Sequence, residues 1–333
     1  MVLEVLTGLG LAWLYWWEID QLALVPVVGR MGLDVDSAMP GLHVVFLVHA
    51  VFMAAMLTAS MIDVDEKTIP DAITVPGTWL GLLAATVCGG MMLPDVVRNG
   101  SMQWMHIASP SEWPDKLSWF CGGKSLAVAL ACWWLWSVSL MYRTWYARHG
   151  WRRALQLSIA RLVREPSTYW LLAMGTIGSG LLLGVWLLGG ASWQGLLSAL
   201  VGMATTGGIV WIVRNVGSAV LGREAMGFGD VTLMAMIGAI LGWQAGLIVF
   251  FLAPFVGLVV GMLQVIVIRS GEIAYGPFLC MAAAFAVVRW ADVWDRAWPV
   301  FEIVWLVPAA IAVCMVLLGV LLAIAKLVVG LFR

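Results

Sequence analysis

The chain has 333 residues, 62% of them hydrophobic and only 11% charged, with a mean hydropathy of +0.97. Soluble domains carry about a quarter charged residues, so this composition excludes a soluble enzyme and points to an integral membrane protein. Its apolar runs lack the two-residue alternation of outer-membrane strands, which excludes a β-barrel, and a formal net charge of −1 says nothing about partners.

The first apolar run, 2–17, has no basic segment ahead of it, so no cleavable signal peptide is expected. It ends at Glu18 and Asp20, and the loop that follows is acidic, with Asp34 and Asp36 outweighing Arg30. A span at 41–62 runs straight into Asp63; a polar stretch to Asp71 precedes a second span at 72–93. Residues 94–124 form a mixed-charge loop with several Trp and Pro residues, expected to fold as a small ordered cap. After a span at 125–142, the segment 143–164 carries Arg143, Arg148, Arg152, Arg153, Arg161 and Arg164, interleaved with apolar residues as on an amphipathic helix. Spans at 168–189 and 193–213 form a tight hairpin. A polar loop opened by Arg214 and containing Arg223 and Glu224 closes in Gly227-Phe228-Gly229-Asp230. Spans follow at 231–241, 246–268, 278–288 and 304–328, the first and third of them short. The expected fold is all-α, a polytopic transmembrane helical bundle of about 8–10 spans.

Arginine and lysine in short loops set orientation. The arginines of 143–164 place that segment in the cytoplasm, and counting spans puts the polar stretches 63–71 and 214–230 on the same side. The acidic loops 18–36 and 292–295 fall outside. The expected location is the inner (cytoplasmic) membrane, multi-pass, with the active site facing the cytoplasm.

That parity brings Asp63 and Asp230 to one membrane face at similar depth. A carboxylate at the mouth of an apolar span costs several kcal/mol to keep ionised, about 2.5–3.5 on insertion scales at a span's centre. Two of them suit aspartic hydrolysis, in which one carboxylate takes a proton from water and the other, protonated, donates to the substrate. Close together they cannot both ionise cheaply, so they titrate as a unit. No metal or other cofactor is expected: there is no HExxH, no CxxC among the five cysteines (Cys88, Cys121, Cys132, Cys280, Cys314), and no ligand spacing among His43, His49, His106 and His149. The histidines read as packing or loop residues, and the abundant tryptophans as interfacial anchors without chemistry.

The contexts of the two aspartates carry a family resemblance. Asp63-Val64-Asp65-Glu66-Lys67-Thr68-Ile69-Pro70-Asp71 resembles the first catalytic motif of type IV prepilin peptidases, continued in Pro76 and Gly81. Gly227-Phe228-Gly229-Asp230 is similar to the second motif, GxGD, and Ala274-Tyr275-Gly276-Pro277-Phe278-Leu279 to a third shared stretch. The matches cover 41–93 and 214–281, roughly a third of the chain. The resemblance implies a membrane-embedded aspartic endopeptidase that removes the leader of type IV prepilins or type II secretion pseudopilins, cutting after a glycine at the cytoplasmic face. It makes Asp63 and Asp230 the catalytic pair and leaves Asp71 structural, capping the helix from Ala72. Gly227, Gly229, Pro70, Gly276 and Pro277 would shape the site, with Gly276-Pro277 breaking a helix nearby. Glu66, Glu224 and Glu272 are the candidates for meeting the basic leader, while Asp65 tunes its neighbour or is solvated.

Three features depart from the family. Without the two CxxC pairs of many members, methyltransferase activity is not expected. Thr232 stands where a lysine is common, two residues after the GxGD aspartate. The distance between the motifs is unusually long, so within a single membrane domain, 1–333, residues 94–165 read as an insertion: an extracytoplasmic loop, an extra span and an arginine-rich cytoplasmic helix. That helix is expected to lie on anionic lipid, each basic residue contributing about 1 kcal/mol; a docking role for secretion partners is the alternative, and nucleic acid is not expected. Two rival readings remain. A presenilin or signal-peptide-peptidase type protease also uses GxGD but pairs it with Tyr-Asp, where this chain has Ile62-Asp63. A proton-coupled transporter would use the carboxylates as a relay.

Overall fold

A computed structural model describes residues 2–26, 32–98, 101–111, 122–140, 164, 166–222, 224, 226–267, 275–303 and 305–331. Backbone polar groups in a bilayer must pair within their own segment, so long apolar runs fold as helices. Among the described residues the elements are α1 (Val2–Tyr15), α2 (Val35–Glu66), α3 (Asp71–Cys88), strands β1 (Pro94–Arg98) and β2 (Ser101–Trp104), α4 (Gly123–Ser139), α5 (Pro166–Leu188), α6 (Gly190–Leu221), α7 (Phe228–Val267), α8 (Gly276–Val288), α9 (Trp290–Glu302) and α10 (Leu306–Leu331). The fold is a polytopic transmembrane helical bundle, and its outward-facing apolar side chains, Leu47, Leu83 and Val316 among them, are a surface suited to lipid.

Five of these helices are long and apolar enough to cross a membrane, or six if the bent pair α8–α9 counts as one span. That count takes α7 once and α10 only over Leu306–Leu321, and α1 and α4 have only 14 and 17 residues, against roughly 20 for a full span. The spans expected at 231–241 and 246–268 lie within the single run of α7, whose 40 residues would make a straight rod of about 60 Å, twice the hydrocarbon core. It is not straight. Gly242 has φ 92° and ψ 167°, and a Cβ on Gly246 would lie 3.7 Å from the Cα of Gly238. Eight residues of straight helix separate such positions by about 12 Å. α7 therefore doubles back at Gly242, a conformation that favours glycine.

The first limb of α7 packs against α6 through small residues, as closely approaching membrane helices do. Gly202 and Gly238 meet backbone to backbone, and the Thr206 hydroxyl reaches the carbonyl of Met234 at 2.7 Å across the crossing. Gly238→Val should destabilise the protein by about 2–4 kcal/mol, because a branched side chain has no room there. The midpoint of heating in detergent measures it; Gly184→Val, with nothing within 4 Å of its Cβ, should shift that midpoint far less.

The expected cap is a β-hairpin followed by a turn; of 94–124, residues 99–100 and 112–121 lie outside the described residues. Its carbonyls are taken by buried side chains. Trp290 Nε1 donates to Pro94 O at 2.7 Å, Trp294 Nε1 to Asp95 O at 3.1 Å, and Trp243 Nε1 to Ile107 O at 2.9 Å. Gln244 Nε2 serves both His106 O and Ser109 O. These tryptophans are clamps rather than interfacial anchors. His106 is a loop residue: burial pushes its pKa down to about 4, and its Nδ1 accepts the Ala108 N–H at 3.1 Å.

Two readings are corrected here. The acidic segment 292–295, expected as a loop, lies inside α9, which leaves α8 at 94°. One face of α9 buries Trp290, Ala291, Trp294 and Phe301, and the other carries Asp292, Asp295 and Arg296, so an amphipathic period hides beneath a charged composition. Glu18 does not belong to the exposed acidic loop. A π-helical turn at Trp16–Asp20 buries it, and it lies 2.8 Å from Nδ1 of the equally buried His49.

The chain divides into two compact units, one of Met1–Ser118 with Gly190–Arg333, the other Trp119–Gly189. The expected insertion 94–165 does not coincide with the smaller unit: 94–118 belong to the larger one. In the smaller unit, Trp133 Nε1 on α4 donates to Gly175 O at 3.0 Å and Trp134 Nε1 to Ser179 Oγ at 3.1 Å, fastening α4 to α5. Of the arginine-rich segment only Arg164 is described, in an exposed position; the remainder, like Arg223 and Glu272, lies outside the described residues.

Candidate active site

α2 ends one turn beyond Asp63. Lys67 takes a left-handed conformation at φ 58° and its N–H closes on Asp63 O at 3.0 Å, stopping the helix as C-terminal caps do. Asp63 is thereby held within the last helical turn, 6% exposed. Its Oδ2 accepts the N–H of Gly276 at 3.0 Å. That donor lies at the start of α8, where backbone N–H groups are free and the helix dipole favours an anion.

Asp230 is the third residue of α7 and 7% exposed. It reaches Asp63 through a close contact between the two motifs. A Cβ on Gly229 would sit 2.8 Å from Ile69 Cβ and 3.0 Å from Ile69 O, so only glycine lets the two loops touch. The same construction at Gly227 meets only Asp230 Oδ2, at 3.8 Å, and Gly229 N, at 4.0 Å. Gly229 is thus required sterically, whereas Gly227 lines the site without being crowded.

Asp63 and Asp230 line one open cavity of about 580 Å³, together with Lys67, Thr68, Ile69, Asp71, Met226, Gly227, Phe228, Gly229 and Tyr275. Neither Pro70, Gly276, Pro277, Glu66 nor Glu224 is among its lining residues. Pro70 instead sets the extended entry to α3, with φ −75° and ψ 135°. Gly276 acts from behind Asp63 through its N–H, and Pro277 sits in the first turn of α8, starting a helix rather than breaking one. Glu224 forms an ion pair with Arg214. The expectation that Asp71 caps α3 is also corrected. Pro70 is the capping residue, without a side-chain hydrogen bond, and Asp71 begins the helix. There its charge suits the dipole, and its Oδ1 accepts the Thr232 hydroxyl at 3.4 Å. The position where a lysine is common in the family therefore ties the second motif to the first.

Tyr275 belongs to the third shared stretch, but nothing in the local sequence singles it out as a site residue. Burial pushes its hydroxyl up to about 12, with the Asp230 charge adding to the shift, so it remains a hydrogen-bond donor throughout the physiological range. Among the described residues no three His, Cys, Asp or Glu side chains converge as metal ligands.

The sequence profile of the type IV leader peptidase family matches residues 50–107 and 160–262, which include both aspartate motifs. Over these residues the chain is similar to this family. Similar proteins named "Prepilin leader peptidase/N-methyltransferase" include one of Aeromonas salmonicida, 36% identical over 110 residues, covering 32% of this chain and 36% of the relative. One of Stutzerimonas stutzeri is 37% identical over 100 residues, covering 29% and 33%. One of Pseudomonas putida is 30% identical over 151 residues, covering 40% and 52%. The matches thus span between a third and about half of the length of these relatives. No solved structure matches. Tyr275 and Gly276 lie beyond the residues matched by the family profile, so their place beside the aspartates rests on the three-dimensional geometry.

Proposed function

We propose that this protein is a membrane-embedded aspartic endopeptidase that removes the basic leader of prepilins or pseudopilins at the cytoplasmic face of the inner membrane. The observation that carries the reading is that Asp63 and Asp230, 167 positions apart, line one open cavity at the ends of their helices. One carboxylate takes a proton from a water between them, and the resulting hydroxide adds to the scissile carbonyl. The other, protonated, donates to that carbonyl oxygen; collapse of the tetrahedral intermediate then returns a proton to the leaving amine. Lateral entry of the substrate's apolar helix leaves the scissile bond at the cavity and the leader in the cytosol. The proposal assigns the peptidase step alone, since none of the five cysteines stands in a CxxC pair.

Tyr275 is positioned to hydrogen-bond a substrate oxygen in this cavity. Tyr275→Phe should lower kcat about tenfold with the protein intact, as loss of one neutral donor does. The rate should show no alkaline limb from this residue below about pH 10, since a phenol raised to about 12 stays neutral there.

The purified protein is to be incubated with a peptide built from a basic leader, a glycine and an apolar helix, and the products read by mass spectrometry. A cut at the edge of the apolar helix is expected. Cleavage deep within it, or none with any such peptide, overturns the reading.

A further inference from the structure

Among the described residues Arg214 is the one lysine or arginine that is buried, at 3% exposure. An unpaired charge there would cost several kcal/mol, and the structure shows what offsets it. Nε donates to Met226 O at 2.9 Å, the terminal nitrogen pairs with Glu224, and the guanidinium carbon lies 5.8 Å from the centre of the Phe228 ring. One side chain on α6 thus holds three alternate positions of the turn that delivers Asp230. Only a planar, several-donor cation can make these contacts at once; an ammonium cannot. Arg214 is a positive charge acting on Asp230, beside the negative charge of Asp63. Thr232 offers no cation and points its hydroxyl at Asp71 and at Gly229 O.

We propose that Arg214 is a positioning residue for the second aspartate: from α6 it holds Glu224, Met226 and Phe228, ahead of Asp230, and supplies a buried positive charge beside that turn. The proposal rests on the peptidase reading for its kinetic part, whereas the clamp can be read without catalysis.

The test compares the full-length wild type with R214K, R214M and R214M/T232K in detergent, using the leader–glycine–helix peptide as probe. Hydrogen–deuterium exchange of the amides of Met226–Phe228, read by mass spectrometry, reports on the turn. R214M should lower kcat about 100-fold with KM within about twofold, the pattern of a lost transition-state contribution. R214K keeps the charge but not the full set of contacts, so its kcat should fall about tenfold. Exchange at Met226–Phe228 should accelerate about tenfold in R214M, as a released turn opens more often. Adding T232K should recover about tenfold of the lost kcat, without restoring protection from exchange.

A cooperatively melting R214M that retains wild-type kcat, loses only in KM, or stays as protected as the wild type overturns the proposal. If R214M does not fold, the same three criteria apply to R214K. If the wild type cleaves no peptide but R214M loses protection, the peptidase reading and the kinetic role fall together while the clamp stands. If the wild type cleaves and R214M matches it in both assays, the Arg214 assignment alone falls.

Discussion

Asp63→Asn and Asp230→Asn should each abolish leader cleavage, lowering kcat by about 10³-fold or more, with protein level and thermal midpoint close to wild type. The substitution is nearly isosteric, and the amide carbonyl it places at position 63 can still accept the Gly276 N–H that Asp63 Oδ2 takes at 3.0 Å. It removes only the capacity to exchange a proton. In the proposed mechanism the pair works as one unit, so the double variant should be no slower than the worse single one. Co-expression with a prepilin, followed by a mobility shift of the processed form, reads the result. Retained cleavage in both single variants would remove the aspartic mechanism.

The second large effect concerns a residue outside the cavity. In Gly276→Ala the new methyl would stand 2.5 Å from Asp63 Oδ2 and 2.8 Å from Ile69 Cδ1. Both neighbours sit in the tight region where the two motifs meet, so the cheapest relief is rotation of the carboxylate away from its donor. Misplacing a reacting group by about 1 Å can cost about 100-fold in rate, and that is the expected fall in kcat. The stability cost should be modest, about 1–3 kcal/mol for one added methyl in a packed site. Steady-state kinetics and a melting curve on the same preparation separate the two. A rate unchanged within about threefold would mean that the Gly276 contact does not hold Asp63 for catalysis.

The features legible in the sequence are those carried by neighbouring residues. Apolar runs identify the membrane helices, because backbone groups in lipid can pair only along the segment. The two aspartates are conspicuous because each interrupts the polarity pattern at a helix end, and each stands in a dense local motif. The reading weakens wherever pattern and geometry part company. Residues 292–295 look like a charged loop, yet Trp290, Trp294 and Phe301 turn the segment into a buried-face helix. A glycine at 242 indicates a break but not its angle; the spans read on either side of it are the two limbs into which α7 doubles back.

Other parts of the site are decided by packing alone. The N–H of Gly276 and the carboxylate of Asp63 are 213 positions apart; the Thr232–Asp71 contact spans 161. Sequence periodicity reaches about four residues along a helix, so no local signal could pair them. Arg214 reads as an ordinary loop-flanking cation until α6 carries it beneath the turn that bears Asp230. Composition and local pattern by themselves determined a membrane-spanning helical chain with two acids at helix ends. Only the tertiary structure decided that these acids share a cavity, because their approach depends on Gly229 and Gly276 letting separate helices come within contact distance.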